Sequence, residues 1–284
     1  MIAQTVRPAR WIIVDDGSTD GTPEILAAYA ERFPWIEVIR RSETKTRSVG
    51  PGVVDAFYAG LATVTVDDYE YVSKLDLDLE LPPRYFEILL DRMAADPRLG
   101  TCSGKPYIRD TSTGKLCSER IGDEVSAGMT KLYRTACFRD IDGIVRGVMW
   151  DVIDCHRARL RGWVARSWDE AELRFVHLRQ MGSSQHSLWT GRTRWGRGKW
   201  FMGSSVPYVA AAALYRMTER PYLVGGLGIF VGYIQAMLDR DARLDDQELR
   251  RFMRRYERLS LVVGKQRAME LYHRRIYARS KPKR

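Results

Sequence analysis

The chain is poor in cysteine, and its four cysteines form no Cys-x-x-Cys pair among 284 residues. This excludes a zinc ribbon, a thioredoxin-like redox centre and a disulfide scaffold, and it is typical of reduced thiols in the cytosol. The sequence also lacks internal repeats, low-complexity linkers and a signal-peptide pattern at its start. With 45% hydrophobic residues it still has enough apolar side chains for a large buried core.

Charge is unevenly distributed along the chain, whose formal net charge is +10. Residues 239–284 contain 15 Lys and Arg against 7 Asp and Glu, whereas the rest of the chain is almost neutral. A basic segment of this kind favours an anionic surface as its partner. We expect a membrane and no nucleic acid, because no nucleic-acid-binding motif is present and the upstream acidic clusters repel phosphate unless a metal intervenes.

Short apolar runs alternate with helical patterns through the first 110 residues. This rhythm predicts an α/β fold, a mostly parallel sheet with helices on both faces. The predicted strands are Trp11–Val14, Ile36–Ile39, Tyr69–Leu75 and Leu99–Ile108, and the predicted helices are 23–33, 53–62 and 82–95. In such sheets ligands bind at the carboxyl ends of the strands, where two acidic clusters occur.

The first acidic cluster begins with Asp15 and Asp16 at the end of the first predicted strand. Carboxylates there can accept hydrogen bonds from a nucleobase or from ribose hydroxyls, and Gly17 lets a ligand approach the backbone. The alternative interpretation is a solvated loop whose Asp and Ser side chains cap the next helix.

The second acidic cluster is Asp76-x-Asp78, at the end of the third predicted strand. Two carboxylates at positions i and i+2 leave a strand on the same side, so both can address one hard cation. Lys74 adds positive charge for the phosphates that such a cation bridges. The alternative is an ordinary polar strand end, because a lone Asp-x-Asp is common.

Together the two segments resemble glycosyltransferase family 2, through WIIVDDGSTDGT at 11–22 and KLDLDLELP at 74–82. The resemblance covers residues 1–200 and implies a GT-A (Rossmann-like) domain. It implies metal-dependent, hexosyltransferase-type transfer of a sugar, with inversion, from a nucleotide-sugar donor (UDP- or dTDP-linked) to a saccharide or polyprenyl-linked acceptor. It also implies Mn²⁺ or Mg²⁺ as cofactor and a role in bacterial cell-surface or exopolysaccharide synthesis.

The resemblance also implies roles for individual side chains. Asp15 and Asp16 would hold the base and ribose, Asp76 the ribose, and Asp78 the metal-bound diphosphate. His177, which ends a short apolar run, would be the second metal ligand, and Arg179 a substrate-binding residue. The alternative for His177 is an ordinary residue at the rim of the core.

An inverting transfer needs a base that takes the proton of the acceptor hydroxyl. The family has a Glu-Asp pair ahead of an Arg and a Gly-Trp pair. Here Trp150-Asp151 precedes Arg157 and a Gly-Trp pair at 162–163 with matching spacing. Asp151 is therefore the candidate base, with Asp154 as its rival because Trp150 replaces the expected Glu. The alternative for Asp151 is a helix N-cap.

Cations alternate with aromatic side chains at residues 191–200. We interpret this segment as a loop that closes on the diphosphate, with Arg192, Arg194 or Arg197 on a phosphate and Trp195 under the sugar or the acceptor. It partly resembles the Gln-x-x-Arg-Trp motif of processive relatives, but Gly191 stands in place of Gln, so processive polymerisation is not expected. The alternative is a basic surface face.

Residues 201–284 form the predicted second region, with apolar stretches at 205–217 and 221–238 and a basic helix near 245–261. Neither apolar stretch reaches the ~20 residues of a spanning helix. We expect interfacial helices and a basic tail on the inner face of the cell membrane, so that the protein is cytoplasmic and peripheral. The alternative is helices that pack on the first domain.

The family pattern begins with a strand and an Asn-Glu-bearing loop, about thirty residues before the position that corresponds to Met1. That strand is ordinarily central in the sheet, so we expect an open hydrogen-bonding edge in this chain. Two alternative functions follow: an inactive nucleotide-sugar-binding fragment, or a membrane-associated scaffold that acts through the basic tail.

Overall fold

A computed structural model of the chain describes residues 1–41, 51–110, 112–179, 187–218 and 222–279. Its first part consists of strands and helices in alternation. These are β1 (Trp11–Asp15), α1 (Thr22–Arg32), β2 (Ile36–Arg40), α2 (Pro51–Leu61), β3 (Tyr71–Leu75), β4 (Leu79–Glu80), α3 (Tyr85–Ala95), β5 (Leu99–Ser103), β6 (Lys105–Arg109) and β7 (Leu116–Ser118).

The second part begins with two more helices among strands and then becomes entirely helical. Its elements are β8 (Thr130–Arg134), α4 (Thr135–Asp140), α5 (Trp150–Leu160), β9 (Val164–Ser167), β10 (Arg174–His177), α6 (Leu188–Met202), α7 (Val206–Met217), α8 (Val224–Leu238), α9 (Gln247–Val263) and α10 (Lys265–Arg279). The predicted fold class, α/β followed by C-terminal helices, is confirmed.

The strands form three groups. One sheet has the order β3-β8-β5-β9, a second has the order β4-β10-β6-β7, and β1 and β2 form a parallel pair of their own. The pairs β5–β9 and β6–β10 are also parallel, and the remaining pairs are antiparallel. Within the described residues β1 and β3 are not paired with each other, so each presents an open edge to the other.

The predicted strand over 99–108 is in fact two strands that meet at Gly104. The backbone N–H of Gly104 donates to the Tyr85 hydroxyl at 2.7 Å. A Cβ at Gly104 would collide with the carbonyl group of Leu173. The chain therefore bends here and passes from one sheet to the other, which the continuous apolar pattern did not indicate.

Helix α3 and strand β5 supply much of the main core. Tyr85, Leu89 and Met93 lie on one face of α3 and are buried against β5, whose residues are buried on both faces. Burial on both faces is expected for a strand with layers on either side.

The segment 191–200, predicted as a loop, belongs to helix α6. Its glycines allow the close approach of α8: a Cβ at Gly196 would collide with the carbonyl of Ile229, and one at Gly232 with that of Thr193. Glycine weakens an isolated helix, but here the close tertiary contact outweighs that cost. The loop prediction for this segment is wrong.

The apolar stretch at 221–238 contains helix α8, which packs between α6 and α7. Within the described ranges, every helix is too short or too polar to cross a membrane. Helix α9 begins as predicted, because the Asp246 carboxylate accepts from the N–H of Leu249 at 2.8 Å. It packs on α5 through Ile153, Leu249 and Met253.

Candidate active site

A cleft of about 1560 Å³ separates β1 from β3. Its depth is lined by apolar side chains of both strands and of α2, among them Ile12, Phe57 and Val72. Its mouth, at the carboxyl ends of the two strands, is polar. The polar lining there comprises Asp16, Ser18, Lys74, Asp76, Asp78, His177 and Arg179.

Six of the predicted site residues therefore line one space, and these six come from three separate segments of the chain. Asp16 follows β1, Lys74 and Asp76 lie at the end of β3, Asp78 precedes β4, and His177 and Arg179 lie at the end of β10. Each of the first two groups follows the carboxyl end of a strand, where ligands bind in α/β folds. The third group depends on the pairing of β4 with β10.

Asp15 and Asp16 face different surroundings. Asp15 is buried, and one oxygen accepts from the N–H of Ser18 at 2.9 Å. Hydrogen bonds from the side chain and the backbone of Ser18, together with the nearby positive charge of Arg40, lower the pKa of Asp15. Burial opposes this effect. Its other oxygen, Oδ2, is buried, lies 3.9 Å from Arg40 Nε and has no hydrogen-bond partner among the residues that the structure describes. Asp16 lines the cleft and lies 3.1 Å from Arg41.

Lys74 is almost completely buried although it carries a charge. Its Nζ is bonded to the Asp76 carboxylate and lies 5.3 Å from the ring centroid of Trp150. Directly opposite, on β8, stands a second buried cation, Lys131. Like charges at opposed positions destabilise a sheet, so Asp76 and the Trp150 ring offset the repulsion.

The antiparallel pairing of β4 and β10 brings Asp78 beside His177 and Arg179. His177 is paired with Leu79, and the N–H of Leu178 donates to the Asp78 carbonyl at 2.9 Å. The Asp78 Oδ2 lies 2.7 Å from Arg179 Nη2 and 3.8 Å from His177 Nε2. Hydrogen bonds from His177 and Arg179 hold the pKa of Asp78 well below its usual range, although partial burial opposes this.

His177 has a second acidic partner that the sequence did not reveal. Its Nδ1 lies 2.9 Å from the Oε2 of Glu119, a residue just beyond β7. Burial lowers the pKa of His177, but the hydrogen bonds to Asp78 and Glu119 outweigh it and raise the pKa to about 9. Glu119 fixes the ring orientation and leaves Nε2 directed at Asp78.

Asp78 and His177 could together offer two ligands to a small divalent cation, if the cation replaced Arg179 at the Asp78 oxygen. An oxygen and an imidazole nitrogen face the same point, and Mn²⁺ accepts both ligand types. Among the residues that the structure describes, no group of three or more His, Cys, Asp or Glu side chains could hold a metal. A cation bound here would draw its remaining ligands from a substrate diphosphate or from water, which is usual for Mg²⁺ in phosphate sites.

Asp151 lies in the first turn of α5, outside the lining of the cleft. Met149 precedes the helix in the left-handed conformation at φ 65°, a strained position for a residue other than glycine. The N-cap is Met149, which has no side-chain cap, so Asp151 is not an N-cap. The Asp151 carbonyl accepts from Lys131 Nζ at 2.5 Å, and its carboxylate packs on Gly128.

Asp154, the rival candidate, is completely buried. One carboxylate oxygen pairs with Lys131 and the other accepts from the Tyr133 hydroxyl. Burial raises the pKa of Asp154 against the attraction of Lys131. With both oxygens engaged and no exposure to solvent, this carboxylate holds β8 to α5 and does not reach the cleft.

Arg194 and Trp195 lie on α6 and do not line the cleft. Trp195 packs with Val209, Ile229 and Tyr233 in the core between α6, α7 and α8. Burial lowers the pKa of Arg194. The structure therefore separates this pair from the six residues at the mouth of the cleft.

The cleft thus combines acidic side chains at strand ends with the buried Lys74 and the exposed Arg179, at the place where α/β folds bind ligands. The model of the family described as "Glycosyl transferase family 2" matches residues 1–164. The chain therefore belongs to glycosyl transferase family 2.

The chain is also similar to curated proteins of polysaccharide synthesis. It is 23% identical over 209 residues to a poly-beta-1,6-N-acetyl-D-glucosamine synthase of Staphylococcus epidermidis. This match covers 66% of this chain and 46% of the relative. It is 29% identical over 108 residues to the synthase of Staphylococcus aureus (strain COL), covering 37% and 24%. The chain thus spans less than half the length of these relatives.

Among solved structures, a mannosyltransferase of Pyrobaculum calidifontis, in complex with GDP-Man and Mn²⁺, is similar at 16% sequence identity and a TM-score of 0.47. The match covers 98% of this chain and 80% of the other.

Proposed function

We propose that the chain transfers a sugar, with inversion, from a UDP- or dTDP-linked donor to a saccharide or lipid-linked acceptor. The observation that carries this proposal is the meeting of Asp16, Asp76 and Asp78 with Lys74 and Arg179 at the mouth of one cleft. Carboxylates suit the ribose and the base, and the two cations suit a diphosphate.

The free oxygen of Asp15 supports a role for the first loop in base recognition. A buried carboxylate oxygen without a partner costs free energy, which an N–H donor of a ligand would recover. Asp16 and Asp76 would accept from ribose hydroxyls. Lys74 and Arg179 would exchange part of their present pairing with Asp76 and Asp78 for phosphate oxygens.

Asp78 and His177 would hold the divalent cation, Mn²⁺ or Mg²⁺. When bound, that cation neutralises the charge that develops on the departing diphosphate. For His177 to serve as a ligand it must lose the proton on Nε2, and Glu119 would retain the proton on Nδ1.

Asp151 is the proposed base. Its carboxylate takes the proton of the acceptor hydroxyl while the acceptor oxygen bonds to the anomeric carbon. The bond between that carbon and the diphosphate breaks, and its electron pair leaves with the nucleoside diphosphate. Lys131 supports this role by fixing the first turn of α5 through the Asp151 carbonyl.

The names of the curated relatives favour N-acetylglucosamine as the transferred sugar and a polysaccharide as the product. We place the reaction at the cytoplasmic face of the membrane, with the protein held peripherally through its C-terminal helices. Exposed arginines at Arg251, Arg255 and Arg258 on α9 and at Arg274 and Arg275 on α10 support an anionic surface as partner.

A panel of UDP-, dTDP- and GDP-sugars tests the donor class by thermal shift, with Mn²⁺ or with EDTA. We expect stabilisation by a UDP- or dTDP-sugar only with the metal, and UDP-N-acetylglucosamine is the first to try. Transfer is then followed as nucleoside diphosphate released in the presence of polyprenyl-phosphate-linked saccharides. No stabilisation by any nucleotide-sugar would contradict the proposal.

A second candidate function is nucleotide-sugar binding without transfer. The open edges of β1 and β3 favour it. In the described residues no strand pairing joins β1, which leads into Asp16, to β3, which leads into Asp76, and an apolar cleft lies between them. This candidate predicts metal-dependent donor binding with no release of nucleoside diphosphate in excess of the rate without protein.

A further inference from the structure

The ends of three C-terminal helices meet in an apolar surface that the proposed active site does not use. We call this surface the helix-end patch. Its exposed side chains are Trp189, Leu214, Tyr215, Leu223, Val224 and Leu227. They belong to the first turn of α6, the last turn of α7 and the beginning of α8.

Tight contacts hold these helix ends together. Gly226 of α8 lies against the Ala213 carbonyl of α7, and a Cβ at Gly228 would meet the side chains of Arg192 and Trp189 on α6. The patch is therefore one continuous surface. Leu214 is 65% exposed and Leu223 is 66% exposed, so the helices do not cover their own apolar ends.

The charge of this part of the chain is mostly positive. Residues 187–238 contain six cations and one acid, Glu219. Arg192 borders the patch on α6 and Arg216 borders it on α7. Leucine and aromatic side chains in a segment with an excess of cations suit the interface of an anionic bilayer, where aromatic rings lie at headgroup level.

The patch is also connected to the candidate site. Arg216 Nη2 donates to the carbonyl of Arg120 at 3.4 Å. The preceding residue, Glu119, contacts His177 Nδ1 at 2.9 Å. A surface held by Arg216 therefore lies one residue along the chain from the carboxylate that orients His177.

We propose that the helix-end patch docks on an anionic phospholipid surface. Docking there sets the Glu119 side of the site next to the headgroups, where a lipid-linked acceptor presents its sugar. This inference rests on the proposed function, because docking brings the site to its acceptor only if that acceptor is bound to the membrane. Its test does not require catalysis.

Co-sedimentation with vesicles tests the docking directly. The full chain is mixed with vesicles of phosphatidylcholine alone or of phosphatidylcholine with 30% phosphatidylglycerol. We expect binding to the anionic vesicles only. The triple variant Leu214→Ser/Leu223→Ser/Leu227→Ser should lose at least tenfold in affinity, and Arg216→Gln should weaken binding severalfold and reduce its dependence on salt.

A matched control removes equally exposed apolar side chains elsewhere. Leu238→Ser/Leu261→Ser/Val262→Ser changes the far end of α8 and the end of α9, where Leu238 is 72% and Val262 82% exposed. This variant should bind vesicles like the unchanged chain. Equal losses in both triple variants would overturn the proposal, because they would indicate general surface stickiness.

A second measurement remains valid if the triple variant folds poorly. Brominated lipid should quench the fluorescence of Trp189, and Trp189→Phe should abolish the largest part of that quenching. Sedimentation equilibrium tests whether a second copy of the chain covers the patch instead. If the unchanged chain forms dimers, the triple variant does not, and neither protein binds vesicles, lipid docking is overturned. Vesicle binding by a chain that binds no nucleotide-sugar would leave docking intact and contradict only the proposed function.

Discussion

Asp78 Oδ2 lies 3.8 Å from His177 Nε2, and Arg179 Nη2 approaches the same oxygen at 2.7 Å. This relationship depends on two short strands, β4 and β10, whose antiparallel register aligns the end of the Asp-x-Asp segment with residues far along the chain. The three side chains already neutralise one another, so a metal or a diphosphate must compete with an existing ion pair.

Asp78→Asn should remove metal-dependent donor binding. The amide keeps the size of the side chain but loses the charge that attracts a cation and holds Arg179. We expect donor affinity with Mn²⁺ to fall at least tenfold, toward the value measured with EDTA. Calorimetric titration of the best donor measures it, and Asp91→Asn on the exposed face of α3 is the matched control. Unchanged affinity would count against the metal role of Asp78.

Asp151→Asn should reduce the turnover number by about 10²–10⁴-fold, because a neutral amide cannot take the acceptor proton. Donor affinity should stay within twofold, since Asp151 does not line the cleft. The measurement is nucleoside diphosphate release with saturating donor and acceptor, together with calorimetry for the donor. Turnover at the normal rate would remove Asp151 as the base.

Asp154→Ala should lower the free energy of unfolding of the whole protein, because Asp154 has a structural role. It leaves the Lys131 ammonium buried without its counter-charge and the Tyr133 hydroxyl without its acceptor. Breaking one partner of a buried pair costs about 3–5 kcal/mol. Urea unfolding measures the loss, and Lys131→Met/Asp154→Leu should recover a large part of it. A loss below about 1 kcal/mol would contradict the structural role.

Acid should destabilise the fold through two buried histidines. Burial, with the charges of Arg159 and Arg166, lowers the pKa of His273 to about 3, and burial also holds the pKa of His156 far below its usual range. Below the ordinary histidine pKa of about 6.5 the unfolded chain takes up protons that the folded chain refuses. The contribution of these two neutral histidines to stability is therefore full above pH 6.5 and falls as the pH drops toward 3.

Urea unfolding at pH 7.5, 6.5, 5.5 and 4.5 follows this loss, which amounts to at most about 1.4 kcal/mol per pH unit for each histidine. His273→Leu provides the comparison, because the Nε2 of His273 has no hydrogen-bond partner to lose within the described part of the chain. The difference in stability between the two proteins should change with pH below 6.5. A constant difference would show that His273 does not titrate on unfolding.

Local sequence signals predicted the elements that local interactions specify. The sequence predicted the strand that ends near Asp15, the helix that follows Pro23 and the basic helix near 245–261, because each depends on residues close in sequence. The same holds for Asp76 and Asp78, whose spacing alone places them on one side of a strand end.

Non-local packing decided the features that the sequence did not reveal. Glu119 has no motif, and it meets His177 only because β7 pairs with β6 and β6 with β10. Lys131 faces Lys74 through the register of β3 and β8. The helix at 188–202 contains three glycines that favour a loop in isolation, yet the backbone contact with α8 stabilises it.

The cleft between β1 and β3 couples ligand binding to the local stability of these two strands. No backbone ladder joins the β1–β2 pair to β3 in the described residues, so these parts can separate without breaking sheet hydrogen bonds. A ligand that contacts both Asp16 and Asp78 would bridge them and suppress that opening. At a hundred times its dissociation constant such a ligand adds about 2.7 kcal/mol of stability. Amide hydrogen exchange in β1 should then slow far more than exchange in α9.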